Sequence, residues 1–204
     1  MRRKLFALIT TVLLLVSMAV PALADSIPRG SDTFAGDLYL VASNDSFLSG
    51  YPGHAFIVYK NTSYYSVQIG DMTIPSGEEV TLGTTNAETV KYGGVWYNLE
   101  AYSYHEKDEF ISNVYLHTTV TLMDIVTIND YINDWPKYYD LVLHNCVHFA
   151  RGMWYDVTGE SFSCITPADL MSEIILDNSH GSCLVLAEQE DVGYYVNGEF
   201  QHVH

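Results

Sequence analysis

Cys146 is the residue of this chain best placed to act as a nucleophile. The apolar residues after it recur at helical spacing and predict a helix that begins at Cys146: Phe149, Ala150, Met153, Trp154 and Val157. In the first turn of a helix, backbone N–H groups lack intrahelical acceptors and the helix dipole is positive, so both favour a thiolate. A thiolate can attack a carbonyl carbon once a base has taken its proton. The alternative is that Cys146 is only the first core residue of this helix, because free cysteines are often buried.

The base for such a thiol would come from the eight histidines of the chain. His54 begins a run rich in Val, Ile, Tyr and Phe, directly after Gly53, where a strand can approach another element closely. His148, two residues along the predicted helix, points about 200° away from Cys146. His202 and His204 could share a strand face, but two histidines without a third ligand make a weak metal site. We therefore expect His54 to be the base, with no metal or organic cofactor required.

Two short motifs resemble a known family. Asn145-Cys146-Val147-His148-Phe149 resembles the Asn-Cys-x-His-Phe signature of the lecithin:retinol acyltransferase family, which belongs to the circularly permuted papain-like hydrolases related to NlpC-type cell-wall peptidases. Gly53-His54-Ala55-Phe56-Ile57-Val58 resembles the histidine strand that precedes the cysteine helix in the permuted order. The resemblance implies Cys146 as nucleophile and His54 as general base. Val147 stands where the acyltransferases usually have Glu, which weakens a lipid acyl-transfer assignment.

A third residue should orient the imidazole of His54. Residues 54–60 and 64–69 are typical of two strands, and the Asn-Thr-Ser between them is typical of a hairpin turn. With a three-residue turn, Ser66 and Gln68 share the face of His54, whereas a two-residue turn would put apolar residues there. Ser66 also stands where some members of the family have an orienting histidine. We expect Gln68 in this role, because its amide oxygen can accept from an imidazole N–H, with Ser66 as the alternative.

The elements around these residues change type along the chain. Strands are predicted at residues 37–41, 54–60, 64–69, 72–74, 79–82, 95–97 and 113–121, and a hairpin at Asn197-Gly198. Helices are predicted from Thr121 to about Asp134, from Cys146 to a stop at Gly159, and from Thr166 to about Leu176. Together with the resemblance, this order predicts an α+β domain: an antiparallel sheet packed against the cysteine-bearing helix, in a circularly permuted papain-like arrangement.

The first 24 residues have the features of a secretory signal peptide. Three basic residues at positions 2–4 precede an apolar run over 5–20 and the small-x-small sequence Ala22-Leu23-Ala24. We predict cleavage after Ala24 and a single permuted papain-like domain over 25–204; an uncleaved membrane anchor is the alternative. Residues 25–204 hold six basic and 25 acidic residues, a formal net charge of −19. This charge excludes a nucleic-acid partner and disfavours anionic membrane surfaces.

These observations predict a secreted, cysteine-dependent hydrolase or acyl transferase that cleaves an amide bond through the Cys146–His54 pair. Its substrate could be a peptide, a cell-wall peptide or a small acyl or amide compound, and the mature form should need no membrane. The alternative is a secreted binding protein that keeps the same fold without turnover. Cys164 and Cys183 could form a disulfide that leaves Cys146 reactive, or all three thiols could be reduced.

Overall fold

The computed structural model describes residues 32–47, 51–85 and 92–203, so the predicted signal peptide and His204 lie outside the described residues. These residues form a mixed α+β fold. The strands are β1 (Phe34–Phe47), β2 (Tyr51–Lys60), β3 (Val67–Ile69), β4 (Met72–Ile74), β5 (Glu79–Gly83), β6 (Trp96–Tyr97), β7 (Asn113–Thr121), β8 (Gly181–Ser182), β9 (Gly193–Val196) and β10 (Glu199–His202). The helices are α1 (Leu99–Lys107), α2 (Leu122–Asp134), α3 (Cys146–Thr158) and α4 (Pro167–Leu176). Over these ranges, none of the helices has the length and apolar character needed to span a bilayer.

Eight of the strands form one antiparallel sheet in the order β10-β9-β6-β5-β2-β1-β7-β8. Strand β2 is central, and both faces of it are covered. Ala55 and Ile57 of β2 belong to the core shared with α3 and α4, whereas Phe56 and Val58 belong to a second core shared with α1. Burial on both faces explains why β2 is an almost unbroken apolar run rather than an alternating one.

Local signals place the ends of the later helices where the sequence predicts them. Thr121 and Asp124 form a capping box at the start of α2, and the side chain of Thr166 caps α4, whose first residue is Pro167. Gly159, with a φ of 76°, caps the C-terminal end of helix α3. The hairpin between β9 and β10 turns at Asn197-Gly198, as its sequence predicts.

The hairpin predicted to join residues 54–60 to 64–69 is wrong. Strand β2 pairs with β1 and β5, and β3 instead pairs with β4 in a separate two-stranded sheet. Asn61 is the cause, because its buried side chain donates hydrogen bonds to the carbonyls of Tyr65 and Ile74, at 2.7 and 2.8 Å. These bonds turn the chain away from the main sheet, and Glu79 of β5 becomes the partner of Lys60.

The three cysteines are free thiols in this structure. Cys164 is buried and Cys183 is exposed, and the disulfide considered between them is not formed. Burial raises the pKa of the Cys164 thiol to about 11, which keeps it protonated and unreactive at neutral pH.

Candidate active site

Cys146 is the first residue of α3 and is held there by the residue before it. The Asn145 side-chain oxygen accepts from the backbone N–H of His148 at 3.0 Å, which caps the helix. The sulfur of Cys146 lies against the middle of β2, where it accepts a hydrogen bond from the backbone N–H of Ala55. The backbone N–H of Cys146 is itself at a helix position that has no intrahelical acceptor.

His54 lies on β2 and forms a side-chain hydrogen bond with Cys146. His54 is 2 % exposed, and its ring packs against the rings of Phe56 and Phe110, whose centroids are 5.8 and 5.7 Å away and which also contact each other. Gly53, immediately before it, has a φ of 82°, and a Cβ there would come within 2.7 Å of the Ser43 carbonyl oxygen. The close approach that the sequence predicts at Gly53 is therefore present, to β1 and to Pro167 at the start of α4. Cys146 and His54, 92 positions apart in the sequence, meet beside it.

Glu100, on α1, is the carboxylate that contacts His54. Its Oε1 lies 3.0 Å from Nε2 of His54, and its Oε2 accepts from the hydroxyl of Thr81 at 2.8 Å. Glu100 is 1 % exposed, so the carboxylate is isolated from water and depends on these partners. Because Nε2 faces Glu100, Nδ1 is the ring nitrogen left for the thiol. The three side chains form a continuous buried chain from sulfur to imidazole to carboxylate.

The charges of Cys146, His54 and Glu100 stabilise one another. Burial acts to lower the pKa of His54, but the Cys146 sulfur and the Glu100 carboxylate outweigh it and raise that pKa to about 9. Burial acts to raise the pKa of the Cys146 thiol, and His54, the Ala55 N–H and the Tyr139 hydroxyl together lower it. The arrangement therefore favours ionisation of the Cys146 thiol beside a protonated His54 imidazole.

Neither residue predicted to orient His54 lies beside it. Gln68 is exposed on β3, where its amide oxygen accepts from the Thr73 hydroxyl at 2.8 Å and its amide nitrogen donates to the Gly70 carbonyl. Ser66 is also exposed, just before β3. The correction follows from the wrong hairpin: once β3 leaves the main sheet, neither residue shares a face with His54.

Sequence reasoning missed Glu100 because α1 has no local start signal. Asn98, the residue before α1, has a left-handed φ of 63°, and its side chain does not cap the helix. The Asn98 side chain instead bonds the backbone of Thr81 and of Asp191, contacts that exist only in the folded chain. The one available hint was a single acidic residue within the apolar run Trp96–Ala101, where a buried charge needs a partner.

The other histidines considered lie elsewhere. The Nδ1 atom of His148 is 2.9 Å from the Asn145 side-chain oxygen, on the far side of the helix turn from the sulfur. His202 lies 3.7 Å from Asp191 in an exposed pair near the end of the chain. Within the described ranges, no three His, Cys, Asp or Glu side chains are grouped as a metal site would require.

A pocket of about 190 Å³ opens onto the sulfur and the imidazole. It is lined by Gly53, His54, Thr85, Tyr139, Leu141, Asn145, Cys146, Ile165, Thr166 and Pro167. The lining comes from β2, the segment that leads into α3, the segment that leads into α4, and Thr85 just after β5. A small molecule or side chain that enters this pocket is therefore brought to the thiol.

No protein-family model matches the chain, and no curated protein matches it. Among solved structures, the crystal structure of the type VI secretion system effector TseH is similar to it, with 18% sequence identity and a TM-score of 0.37. The match covers 68% of this chain and 87% of TseH. At this similarity no residue role transfers from TseH to this chain.

Proposed function

We propose that this protein is a cysteine-dependent hydrolase or acyl transferase that acts on an amide bond or a related acyl bond. The observation that carries the proposal is the buried chain from Cys146 through His54 to Glu100, which opens onto a pocket at its sulfur end. A nucleophile, a base and a residue that orients the base are the three parts that acyl transfer through a thiolate requires. The order along the chain, histidine strand before cysteine helix, supports the permuted papain-like arrangement.

In the first half of the reaction, the Cys146 sulfur forms a bond to the carbonyl carbon and the C=O electron pair moves to oxygen. The tetrahedral intermediate then collapses, the bond from carbon to the leaving nitrogen breaks, and the imidazolium of His54 gives its proton to that nitrogen. The product is a thioester on Cys146. The backbone N–H of Cys146, without an intrahelical acceptor, is positioned to donate to the oxyanion.

In the second half of the reaction, water or another acyl acceptor attacks the thioester, and His54 takes a proton from that attacking molecule. The carbon–sulfur bond breaks, the thiolate re-forms, and the acyl group leaves as an acid or on its new acceptor. Glu100 acts through His54 as a positioning residue, because it holds the ring and stabilises the imidazolium that both halves require.

The test is hydrolysis of p-nitrophenyl esters and fluorogenic peptide amides by the chain and by matched variants. Cys146→Ala and His54→Ala should each lower kcat/KM at least about 10³-fold, and the double variant should be little worse, because nucleophile and base act as a unit. Cys164→Ala, which removes another buried thiol outside the site, should leave the rate unchanged. Ligand binding that survives both site substitutions, without turnover by the unsubstituted chain, would favour the binding-protein alternative.

We also propose that the protein is exported and processed. The basic start, apolar run and Ala22-Leu23-Ala24 support this. The intact mass of protein recovered outside the expressing cells should correspond to a chain that begins at Asp25. A mass that retains residues 1–24 would contradict the processing and favour an anchor.

A further inference from the structure

The pocket beside the reacting sulfur has an apolar lining that the proposed mechanism does not use. Leu141, Ile165 and Pro167 line it together with the site residues. Leu141 is 67 % exposed and Ile165 is 55 % exposed, so two large apolar side chains stand in water at the entrance to a polar catalytic site. Single exposed apolar residues are common on proteins, but two that line the same pocket next to a nucleophile point to a ligand.

Hydrogen bonds hold Leu141 in this exposed position. The backbones of Asp140 and His144 pair with each other at 3.0 and 3.1 Å, which closes a turn over residues 140–144. Within it, the Asp140 carboxylate accepts from the backbone N–H of Val142 and of Leu143, at 2.9 and 2.8 Å. These hydrogen bonds fix the conformation of the turn, and the turn holds the Leu141 side chain in its exposed position.

Asn145, the residue before the nucleophile, joins the two apolar walls. Its side-chain nitrogen donates to the carbonyl of Leu141 at 2.9 Å and to the carbonyl of Ile165 at 3.1 Å. The same side chain caps the helix that carries Cys146, and the residue is only 6 % exposed. One buried amide thus sets the positions of Leu141 and Ile165 relative to the sulfur.

From this geometry, and resting on the proposed function, we infer that the site selects substrates that carry a compact apolar group next to the reacting carbonyl. The size follows from the volume: an apolar cavity of about 150 Å³ holds a benzene ring, and this pocket is about 190 Å³. A phenyl group, a leucine-sized side chain or a short acyl chain fits that space. An acyl chain of twelve or more carbons exceeds it.

The first test measures thiol alkylation, which needs no turnover. The full chain is treated with iodoacetamide or N-benzyl iodoacetamide, and peptide mass spectrometry follows Cys146 and the exposed Cys183 separately. Cys183 serves as the internal reference for the intrinsic reactivity of each reagent. The benzyl reagent should be preferred at Cys146 by about tenfold relative to Cys183, the size expected for one hydrophobic subsite.

Substitutions then assign the preference to the pocket walls. Leu141→Asn and Ile165→Asn should each reduce the benzyl preference at Cys146 by about threefold to tenfold. Val142→Asn is the matched control, because Val142 is 66 % exposed in the same turn but does not line the pocket. Equal preference at Cys146 and Cys183, or an equal loss in the Val142 variant, would overturn the inference.

The second test uses p-nitrophenyl esters of increasing acyl length. For the unsubstituted chain, kcat/KM should rise from acetate to butyrate and fall at dodecanoate, and Leu141→Asn should flatten the rise. Alkylation preference without any hydrolysis would contradict the proposed function and leave the subsite standing. Hydrolysis that is indifferent to acyl length, with no alkylation preference, would overturn the subsite and leave the proposed function standing.

Discussion

The Nε2 atom of His54 lies 3.0 Å from Oε1 of Glu100, although the two residues are 46 positions apart and come from a central strand and a helix on one face of the sheet. Both side chains are almost fully buried. A buried carboxylate at this distance makes the charged form of the imidazole more stable and fixes the direction of its ring. The pair thus links α1 to the chemistry of a thiol on the other side of β2.

Replacing the Glu100 carboxylate should reduce catalysis without removing the hydrogen bond. In Glu100→Gln the amide can still accept from the imidazole, but the negative charge that stabilises the imidazolium is gone, so kcat should fall by about 10²-fold or more. The high-pH limb of the rate profile should also move to lower pH, a shift that a purely structural role would not produce. Glu79→Gln changes another buried carboxylate, one that accepts from the Ala187 N–H, and should leave the profile unchanged. An unaltered profile in the Glu100 variant would contradict its positioning role.

The pH dependence of the reaction should be bell-shaped. His54, the Ala55 N–H and the Tyr139 hydroxyl lower the pKa of the Cys146 thiol from its ordinary value, so kcat/KM should rise as the thiolate forms at lower pH than in a free thiol. The pKa of His54 is raised to about 9, so the imidazolium is retained at neutral pH and is lost above about pH 9, where the rate should fall. Rates measured between pH 5 and 10 check both limbs.

Substitution of His54 isolates the contribution of its positive charge to the pKa of the Cys146 thiol. In His54→Gln the cation is removed while burial of the sulfur remains, so the pKa from iodoacetamide alkylation of Cys146 should rise. Cys183 in the same molecule should titrate unchanged and provides the control. A Cys146 pKa that is at least 8.5 in the unsubstituted chain would contradict the ion pair.

Gly83 on β5 should be intolerant of a side chain for a reason specific to this site. A Cβ at this position would collide with Oε1 of Glu100 and lie 3.2 Å from Nε2 of His54. Gly83→Ala should therefore displace the carboxylate, lower activity and reduce the free energy of unfolding by about 1–3 kcal/mol. Adding Glu100→Ala removes the atom that collides, so the double variant should be more stable than the two single effects predict, while activity stays low. Additive losses in denaturant unfolding would show that the collision is not the cause.

The Tyr139 hydroxyl should contribute to thiolate formation. It donates a hydrogen bond to the Cys146 sulfur and lowers the pKa of that thiol. Tyr139→Phe should raise this pKa and slow alkylation at pH 7 by about tenfold, the effect of one hydrogen bond to a charged group. Tyr138→Phe alters the exposed neighbouring residue and should have no effect. Equal alkylation rates in the two variants would contradict this role.

The sequence alone was sufficient for the features that depend on residues close together in the chain. The apolar spacing after Cys146 and the stop at Gly159 are both local, and α3 begins at Cys146 and is capped at Gly159 as they predict. The Asn197-Gly198 hairpin has the same origin, because left-handed backbone at both positions is a property of those residue types.

Features that depend on strand pairing could not be read in this way. The choice of Gln68 and Ser66 required β3 to pair with β2, but the Asn61 side chain bonds Tyr65 and Ile74 and directs that segment into a separate sheet. Side chains alternate between the two faces of a strand, so an error in strand pairing invalidates every face assignment that follows from it.

Glu100 lies beside His54 only because α1 packs against β5, with Thr81 of that strand holding the carboxylate. A buried charge is stabilised by partners distant in the chain, and only the tertiary structure brings those partners to it.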